Sequence, residues 1–248
     1  VRQLDVIPAQ PTAPEYHLDV TRKDWLFSTL QGEGIHAGVP SLFLRLFGCN
    51  LTCAKCDTKY SWQFPEKNSF HVHVDTVAAH IRASMPELFP GRRHLVITGG
   101  EPMLQTEGVG DLLQELEGRY KVTMETNGTI YQEYIARNVE LASLSPKHDH
   151  IREMLEDAGK NEKVIPFYLW LRNTERAQVK VVMESPEDIT QTLNFFEMLR
   201  DQHDMPPERL IGQLEFYNNG FDMNQYIERF YAAGFRLGIQ QHKVWKLR

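Results

Sequence analysis

Cys49, Cys53 and Cys56 are the only cysteines of the 248-residue chain, and they fall within eight residues. Three soft thiolates on one short loop can grip three corners of an iron-sulfur cluster and leave one iron without a protein ligand. A cluster that only passes electrons is usually closed by four cysteines, whereas an open iron can coordinate a substrate or cofactor directly. A structural Cys3His zinc site completed by His71 or His73 is the alternative. No cysteine remains elsewhere for a disulfide framework. Spacing alone leaves both metals open, and the loops around the triad must decide.

Those loops are positioned by short apolar, β-branched runs that alternate with amphipathic stretches, the pattern of strands followed by helices over a parallel sheet. Strands are predicted over 41–47, 94–98, 121–125, 139–144, 178–183, 210–216 and 235–239, with helices over 75–84, 106–117, 131–137, 151–158, 186–200 and 222–233. The helix from Pro186 has the clearest start: Ser185 can cap it, Pro186 suits its first position, and Glu187 and Asp188 face the positive end of its dipole. No Gly/Ser-rich linker divides the chain, so these units fit a barrel or partial barrel of β/α units better than two domains. Residues 1–20 carry Pro8, Pro11 and Pro14 without hydrophobic periodicity and read as a flexible N-terminal arm before one domain over 21–248. The stretch 147–177 is charged in its first part and aromatic around Phe167, Tyr168 and Trp170, and it looks like an insertion between core units.

Composition narrows the partners. Hydrophobic residues make up 42%, charged residues 24%, and the net charge is -6, which describes an ordinary globular protein without the basic excess that duplex binding needs. No apolar run approaches the roughly 20 residues that cross a bilayer, and the N-terminus shows no basic region followed by an apolar stretch, so the expectation is a cytoplasmic protein with neither nucleic acid nor membrane as partner.

In parallel α/β architectures ligands gather where strands end, and the unusual residues sit there. The cysteines follow the first predicted strand, Gly99-Gly100-Glu101-Pro102 the second, Glu125-Thr126-Asn127-Gly128 the third, Ser145-Pro146-Lys147 the fourth, and Gln240-Gln241-His242-Lys243 the last. Two glycines after a strand ordinarily mean only a tight turn. One strand after a Cys-x3-Cys-x2-Cys loop, they resemble the radical S-adenosylmethionine (SAM) superfamily, in which both loops bind the cofactor. Within it, the chain from Thr29 almost to the C-terminus resembles the 7-carboxy-7-deazaguanine synthase family. The carrying segments are Thr29 to Gly34 (TLQGEG), Gly38-Val39-Pro40, Arg45, Gly48-Cys49-Asn50, Cys56-Asp57-Thr58, Thr98 to Gln105 (TGGEPMLQ), Glu125 to Gly128, Ser145-Pro146-Lys147, Val179 to Val182 and His242-Lys243. The TLQGEG segment and the Asp57-Thr58 tail discriminate, because general SAM enzymes share the cysteines without them. Three departures concern the far wall of the pocket: the long 147–177 stretch, Gln178 where an acidic residue is common, and Gln213-Leu214 in place of Gln-Pro.

The resemblance implies a partial (β/α) TIM-like barrel of about six parallel strands. It implies a 4Fe-4S cluster on Cys49, Cys53 and Cys56, and SAM held by Gly99, Gly100, Glu101, Glu125, Asn127, Ser145, Lys147 and Gln213. A pterin substrate would meet Gln31, Glu33, Arg45, Gly99 and His242, and a magnesium ion would take the Thr58 hydroxyl. Each of these residues has a plainer reading. Gln31 and Glu33 would be solvated turn residues, Arg45 an outward strand residue, Glu125 and Asn127 part of an Asn-Gly turn, Ser145 and Lys147 a strand exit, and His242 a surface histidine. Tyr60 and Trp62 read as packing around the cluster loop.

The implied reaction converts 6-carboxy-5,6,7,8-tetrahydropterin to 7-carboxy-7-deazaguanine, the deazapurine precursor of queuosine and archaeosine. A 5'-deoxyadenosyl radical takes the hydrogen at carbon 6, the ring contracts, hydrogen returns, and ammonia leaves. It implies no catalytic side chain beyond the cofactor-derived radical, an electron donor such as flavodoxin or ferredoxin, and a homodimer. An activating enzyme for a glycyl-radical protein and a zinc-stapled binding protein are the other readings.

Overall fold

The computed structural model describes residues 17–88, 93–116, 118–157, 162–172, 174–215 and 222–246. The expected N-terminal arm lies outside the described residues as far as position 16, and from His17 onward the chain is already strand.

Among the described residues one sheet of ten strands organises the fold: β1 (His17–Thr21), β2 (Leu26–Leu30), β3 (Pro40–Leu46), β4 (Ser69–His73), β5 (His94–Gly99), β6 (Lys121–Thr126), β7 (Leu141–Leu144), β8 (Ala177–Met183), β9 (Leu210–Leu214) and β10 (Arg236–Ile239). Their order is β10-β9-β8-β7-β6-β5-β3-β1-β4, with β2 paired to β3. The run from β3 to β10 is parallel throughout, seven strands where the resemblance implied about six. The sheet ends at β10 and β4, which gives the open barrel that was expected.

The helices are α1 (Pro65–Asn68), α2 (Val74–Leu88), α3 (Thr106–Leu116), α4 (Glu133–Asn138), α5 (His148–Asp157), α6 (Ile165–Trp170), α7 (Pro186–His203), α8 (Asn224–Ala233) and α9 (Gln241–Val244). Ser185 caps α7 as predicted, its hydroxyl accepting the Asp188 N–H at 3.1 Å. Gly234, at φ 71°, ends α8 in the left-handed conformation that glycine adopts without strain.

The sequence reading does not contain β1, β2 and β4. They pair antiparallel on and around β3, and their alternation is masked by polar residues such as His17, Asp19, His71 and His73. The 147–177 stretch forms α5, α6 and the start of β8. Ile151, Met154, Val164, Phe167, Trp170 and Leu171 are buried in the common core, so this charged stretch supplies part of the helical layer between β7 and β8.

Strand alternation divides the parallel sheet into two faces. Leu42, Leu44 and Leu46 of β3, Leu95 and Ile97 of β5, Val122 and Met124 of β6, and Val179, Val181 and Met183 of β8 join the apolar core. The intervening residues Arg45, His94, Thr123, Glu125, Ser143, Gln178, Lys180 and Gln213 project from the opposite, concave face. A packed barrel fills its interior with branched apolar side chains. This one carries polar and charged side chains there instead, and buried polar groups need partners.

Candidate active site

The floor of the half-barrel is closed by hydrogen bonds. The His94 ring joins Ser41 Oγ at 2.7 Å and Thr123 Oγ1 at 2.9 Å, while His36 Nδ1 lies 3.2 Å from the same threonine. Burial, with His36 beside it, holds the His94 imidazolium form down to a pKa of about 4, so the floor is neutral. A surface hollow of about 480 Å³ lies beneath it, lined by His36, Tyr120, Glu140, Arg176 and Arg209. The chemistry-bearing residues are at the other end of the strands.

Above the floor runs a charged network. Register places Glu125, Ser143 and Gln178 in one row across β6, β7 and β8. Ser143 Oγ donates to Glu125 Oε2 (3.1 Å) and accepts from Gln178 Nε2 (2.8 Å), while Gln178 Oε1 accepts the Ile35 N–H (2.8 Å). Gln31 Nε2 donates to Glu125 Oε1 at 2.9 Å. Lys180 Nζ donates to Glu125 Oε2 at 3.1 Å and to Glu33 Oε2, whose other oxygen accepts Gln240 Nε2 at 2.7 Å. His242 Nδ1 stands 3.9 Å from Glu33. Burial pushes the Glu33 carboxyl up, but the Lys180 ammonium and the hydrogen bonds from Lys180 and Gln240 outweigh it and bring the pKa to about 2. Burial acts on Lys180 in the opposite sense, and Glu125 and Glu33 more than restore its charge. Burial lowers the His242 pKa, which favours the neutral ring.

At the strand ends two loops lock the cysteine loop in place. Gly100 N–H reaches the Leu46 carbonyl at 3.2 Å and Glu101 N–H the Gly48 carbonyl at 2.7 Å. A Cβ on Gly99, at φ 148°, would lie 2.0 Å from the Leu46 oxygen, and one on Gly100 would lie 2.1 Å from the Gly48 oxygen. Both glycines are thus demanded by backbone-on-backbone contact. The Glu101 carboxylate is fully buried and accepts Met103 N–H (3.0 Å), Thr126 Oγ1–H (2.7 Å) and Asn127 N–H (2.7 Å). Asn127 Nδ2 in turn donates to Asn50 Oδ1 at 2.9 Å, beside Cys49. Lys55 pairs with Glu184 beyond β8, and Lys243 of α9 lies 3.6 Å from Asp57, so the loop is also anchored across the mouth. Ser145 and Lys147 stand apart from the charged network, with Lys147 exposed and its Nζ 3.5 Å from Ser145 Oγ.

Comparison with known proteins places this geometry. The sequence model of a 4Fe-4S single cluster domain matches residues 30–151. A 7-carboxy-7-deazaguanine synthase of Pyrobaculum aerophilum is 34% identical over 172 residues, 68% of this chain and 70% of that one. The Rickettsia prowazekii enzyme of the same name is 31% identical over 221 residues, 88% of this chain and 85% of its own. The chain belongs to the 7-carboxy-7-deazaguanine synthase family. The crystal structure of QueE from Escherichia coli superimposes with a TM-score of 0.63 at 26% identity, over 91% of this chain and 95% of that one. Streptococcus suis SuiB, at 13% identity and a TM-score of 0.53, shares the fold alone. Family membership sets aside the activating-enzyme and zinc readings. His71 pairs with Asp19, and His73 Nδ1 lies 3.5 Å from Asp75.

The residues present fit the groups that the family implies. The three thiols are free and half-buried on one loop. Cys49 Sγ accepts the Leu51 N–H at 3.4 Å and Cys56 Sγ the Trp62 indole N–H at 3.3 Å. N–H donation to sulfur steadies a charged thiolate-iron centre. Two donors on the concave face lack partners: Arg45 Nε and Gln213 Nε2 are buried without a hydrogen bond. A buried donor left unpaired is costly and points to a ligand that completes it. The Arg45 guanidinium lies 5.3 Å from the Phe27 ring centre and 5.8 Å from that of Tyr60.

Sequence reasoning did not select Lys180, Gln240 and Asn50 as site residues. The detectable signal for Lys180 is a lone cation within the apolar run Val179 to Met183, the same signal that drew notice to Arg45. Gln240 and Asn50 stood in segments already noted, after the last strand and beside Cys49, but an amide in a loop is ordinary and neither was given a role.

Proposed function

We propose that this chain converts 6-carboxy-5,6,7,8-tetrahydropterin to 7-carboxy-7-deazaguanine with loss of ammonia, using a 4Fe-4S cluster and SAM. One observation carries the reading: a three-cysteine loop is fixed at the mouth of a half-barrel whose interior presents paired carboxylates, an amide and an arginine whose buried Nε has no hydrogen bond. Cluster and SAM, when bound, supply the hydrogen-atom abstraction that no side chain here can perform. The chain's own residues bind and orient. Arg45 takes the substrate carboxylate between the faces of Phe27 and Tyr60, which keep water from it. Gln31 and Glu33 read the donor and acceptor edge of the pterin ring, with His242 closing over them from α9. Glu101 and Asn127 set the loops that Gly99, Gly100, Ser145, Lys147 and Gln213 complete around SAM.

The Thr58 hydroxyl would hold a magnesium ion together with substrate oxygens, in keeping with the preference of a hard cation for oxygen. A flavodoxin or ferredoxin as electron donor, a homodimer and the cytoplasm belong to the same proposal. No helix among the described residues is long and apolar enough to cross a membrane. The test is an anaerobic assay of the cluster-loaded protein with the carboxytetrahydropterin, SAM and a reductant, read by mass spectrometry. Product from the wild type and none from Cys53→Ala is expected; a fully loaded enzyme that cleaves SAM without forming product would overturn the substrate assignment.

A further inference from the structure

We propose that Lys180 is a positioning residue of this site: its ammonium, bridging Glu33 and Glu125, holds the two carboxylates aimed so that they can accept the donor edge of the pterin. The inference rests on the substrate reading above and extends it to a residue that touches the carboxylates instead of the reacting atoms.

The geometry carries it. Lys180 is 5% exposed, and its side chain leaves the middle of β8 toward the concave face, between flanking residues that bury themselves in the helical layer. Glu33 arrives from the β2–β3 loop and Glu125 from β6, so elements distant in sequence deliver two carboxylates to one nitrogen. The other groups facing them are neutral: Gln31 and Ser143 on Glu125, Gln240 on Glu33, and His242, whose ring burial keeps uncharged. Lys180 is therefore the cation in direct contact with both acids among the described residues. Two buried carboxylates sharing a site do not both stay ionised without such a partner, and one then binds a proton with a raised pKa. A protonated carboxyl presents a hydroxyl where the amide and amine of a pterin need an acceptor. Burial alone would raise the Glu33 carboxyl, and the Lys180 ammonium with its hydrogen bond holds it well below the usual carboxylate range.

The experiment uses the cluster-loaded protein with SAM and 6-carboxypterin, an oxidised and unreactive probe, in calorimetric titrations between pH about 6 and 7.5. Wild type, Lys180→Met and Lys180→Arg are compared in buffers of different ionisation enthalpy, which report protons exchanged on binding. The wild type should bind with an affinity independent of pH and exchange no proton. Lys180→Met should lose at least tenfold in affinity on going from the higher to the lower pH and release a proton as the probe binds. Lys180→Arg, which keeps the charge, should stay level. Proton release by the wild type, a measurement that needs no variant to fold, would overturn the proposal, as would a level profile for Lys180→Met. No binding of the probe by the wild type would overturn the substrate reading and this inference together.

Discussion

Glu101 and Asn127 join two loops that follow different strands: the Asn127 backbone N–H donates to the buried Glu101 carboxylate over 2.7 Å. Because Thr126 and Met103 donate to the other oxygen of the same group, the loop after β5 and the loop after β6 behave as one rigid piece beneath the cysteine loop. Glu101→Gln turns an acceptor into a donor against an N–H. Loss of a buried charged hydrogen bond should cost about 1.5–3 kcal/mol and lower SAM affinity roughly tenfold or more. Thermal unfolding and SAM titration of the loaded protein check this, and unchanged values in both would show the two loops to be independent.

Gly100→Ala tests the backbone approach. Its Cβ would meet the Gly48 oxygen at 2.1 Å and Cys49 Cβ at 3.0 Å, and neither is the free end of a flexible side chain. The cysteine loop must shift, at a cost of about 1–3 kcal/mol. The expected result is a folded protein that takes up less iron under reconstitution, with a bleached visible spectrum. Full iron content would mean that the loop relaxes elsewhere.

Arg45→Ala should separate binding from folding. The guanidinium holds no hydrogen bond through Nε and rests on two rings, so its loss should change stability by about 1 kcal/mol or less. Losing a charged partner for the substrate carboxylate should instead weaken binding by one to two orders of magnitude, or about 1.5–3 kcal/mol. Calorimetry with 6-carboxypterin, beside a melting curve, gives both numbers, and an unchanged affinity removes Arg45 from the pocket.

Thr58 offers an oxygen two residues beyond the last cysteine, its Oγ1 3.7 Å from Cys56 Sγ. Activity should rise with added magnesium, and Thr58→Val, which keeps the shape and deletes the oxygen, should blunt that rise without bleaching the cluster. Superimposable curves of product against magnesium concentration would show that Thr58 is no ligand.

The neutral floor predicts a pH dependence. Burial first, then the neighbouring His36, depress the His94 pKa from 6.5 to about 4. A base whose folded pKa lies below its unfolded value contributes stability above the unfolded value and loses it as pH falls toward the folded one. Resistance to urea should therefore decline between pH about 6.5 and 5, and His94→Gln should flatten part of that decline. The full effect of His94 is on the order of 3 kcal/mol. Equal slopes in both proteins would assign the decline to other histidines such as His36 and His150, whose pKa values burial also lowers.

The parallel strands and their loops were legible because apolar runs such as Leu95 to Ile97 and Val179 to Val182 end at glycines, acids and cysteines that a sheet interior rejects. β1 and β4 were not, because His17, Asp19, His71 and His73 alternate with their apolar residues at this end of the sheet and break the apolar signature. The iron-sulfur cluster was legible in the spacing of the three cysteines, which lie inside the matched 4Fe-4S domain. The Glu125 carboxylate is joined to Gln31 and Lys180, a meeting of three separate elements that no local pattern announces. The charge of the 147–177 stretch likewise concealed a packing role: Gly128, at φ 81°, leaves room for the Phe167 ring, and the Trp170 indole N–H holds the Ile130 carbonyl at 2.9 Å.

The two-faced alternation of β8 also bears on how the chain finds its fold. A parallel sheet buried on both sides has weak protection against strands pairing one residue out of step when every side chain is apolar. In β8 such a slip would drive Lys180 into the helical layer and turn Val179 toward the two carboxylates, leaving three charges without partners. That error is far more costly than exchanging one valine for another. The charged interior therefore doubles as an alignment key for the sheet.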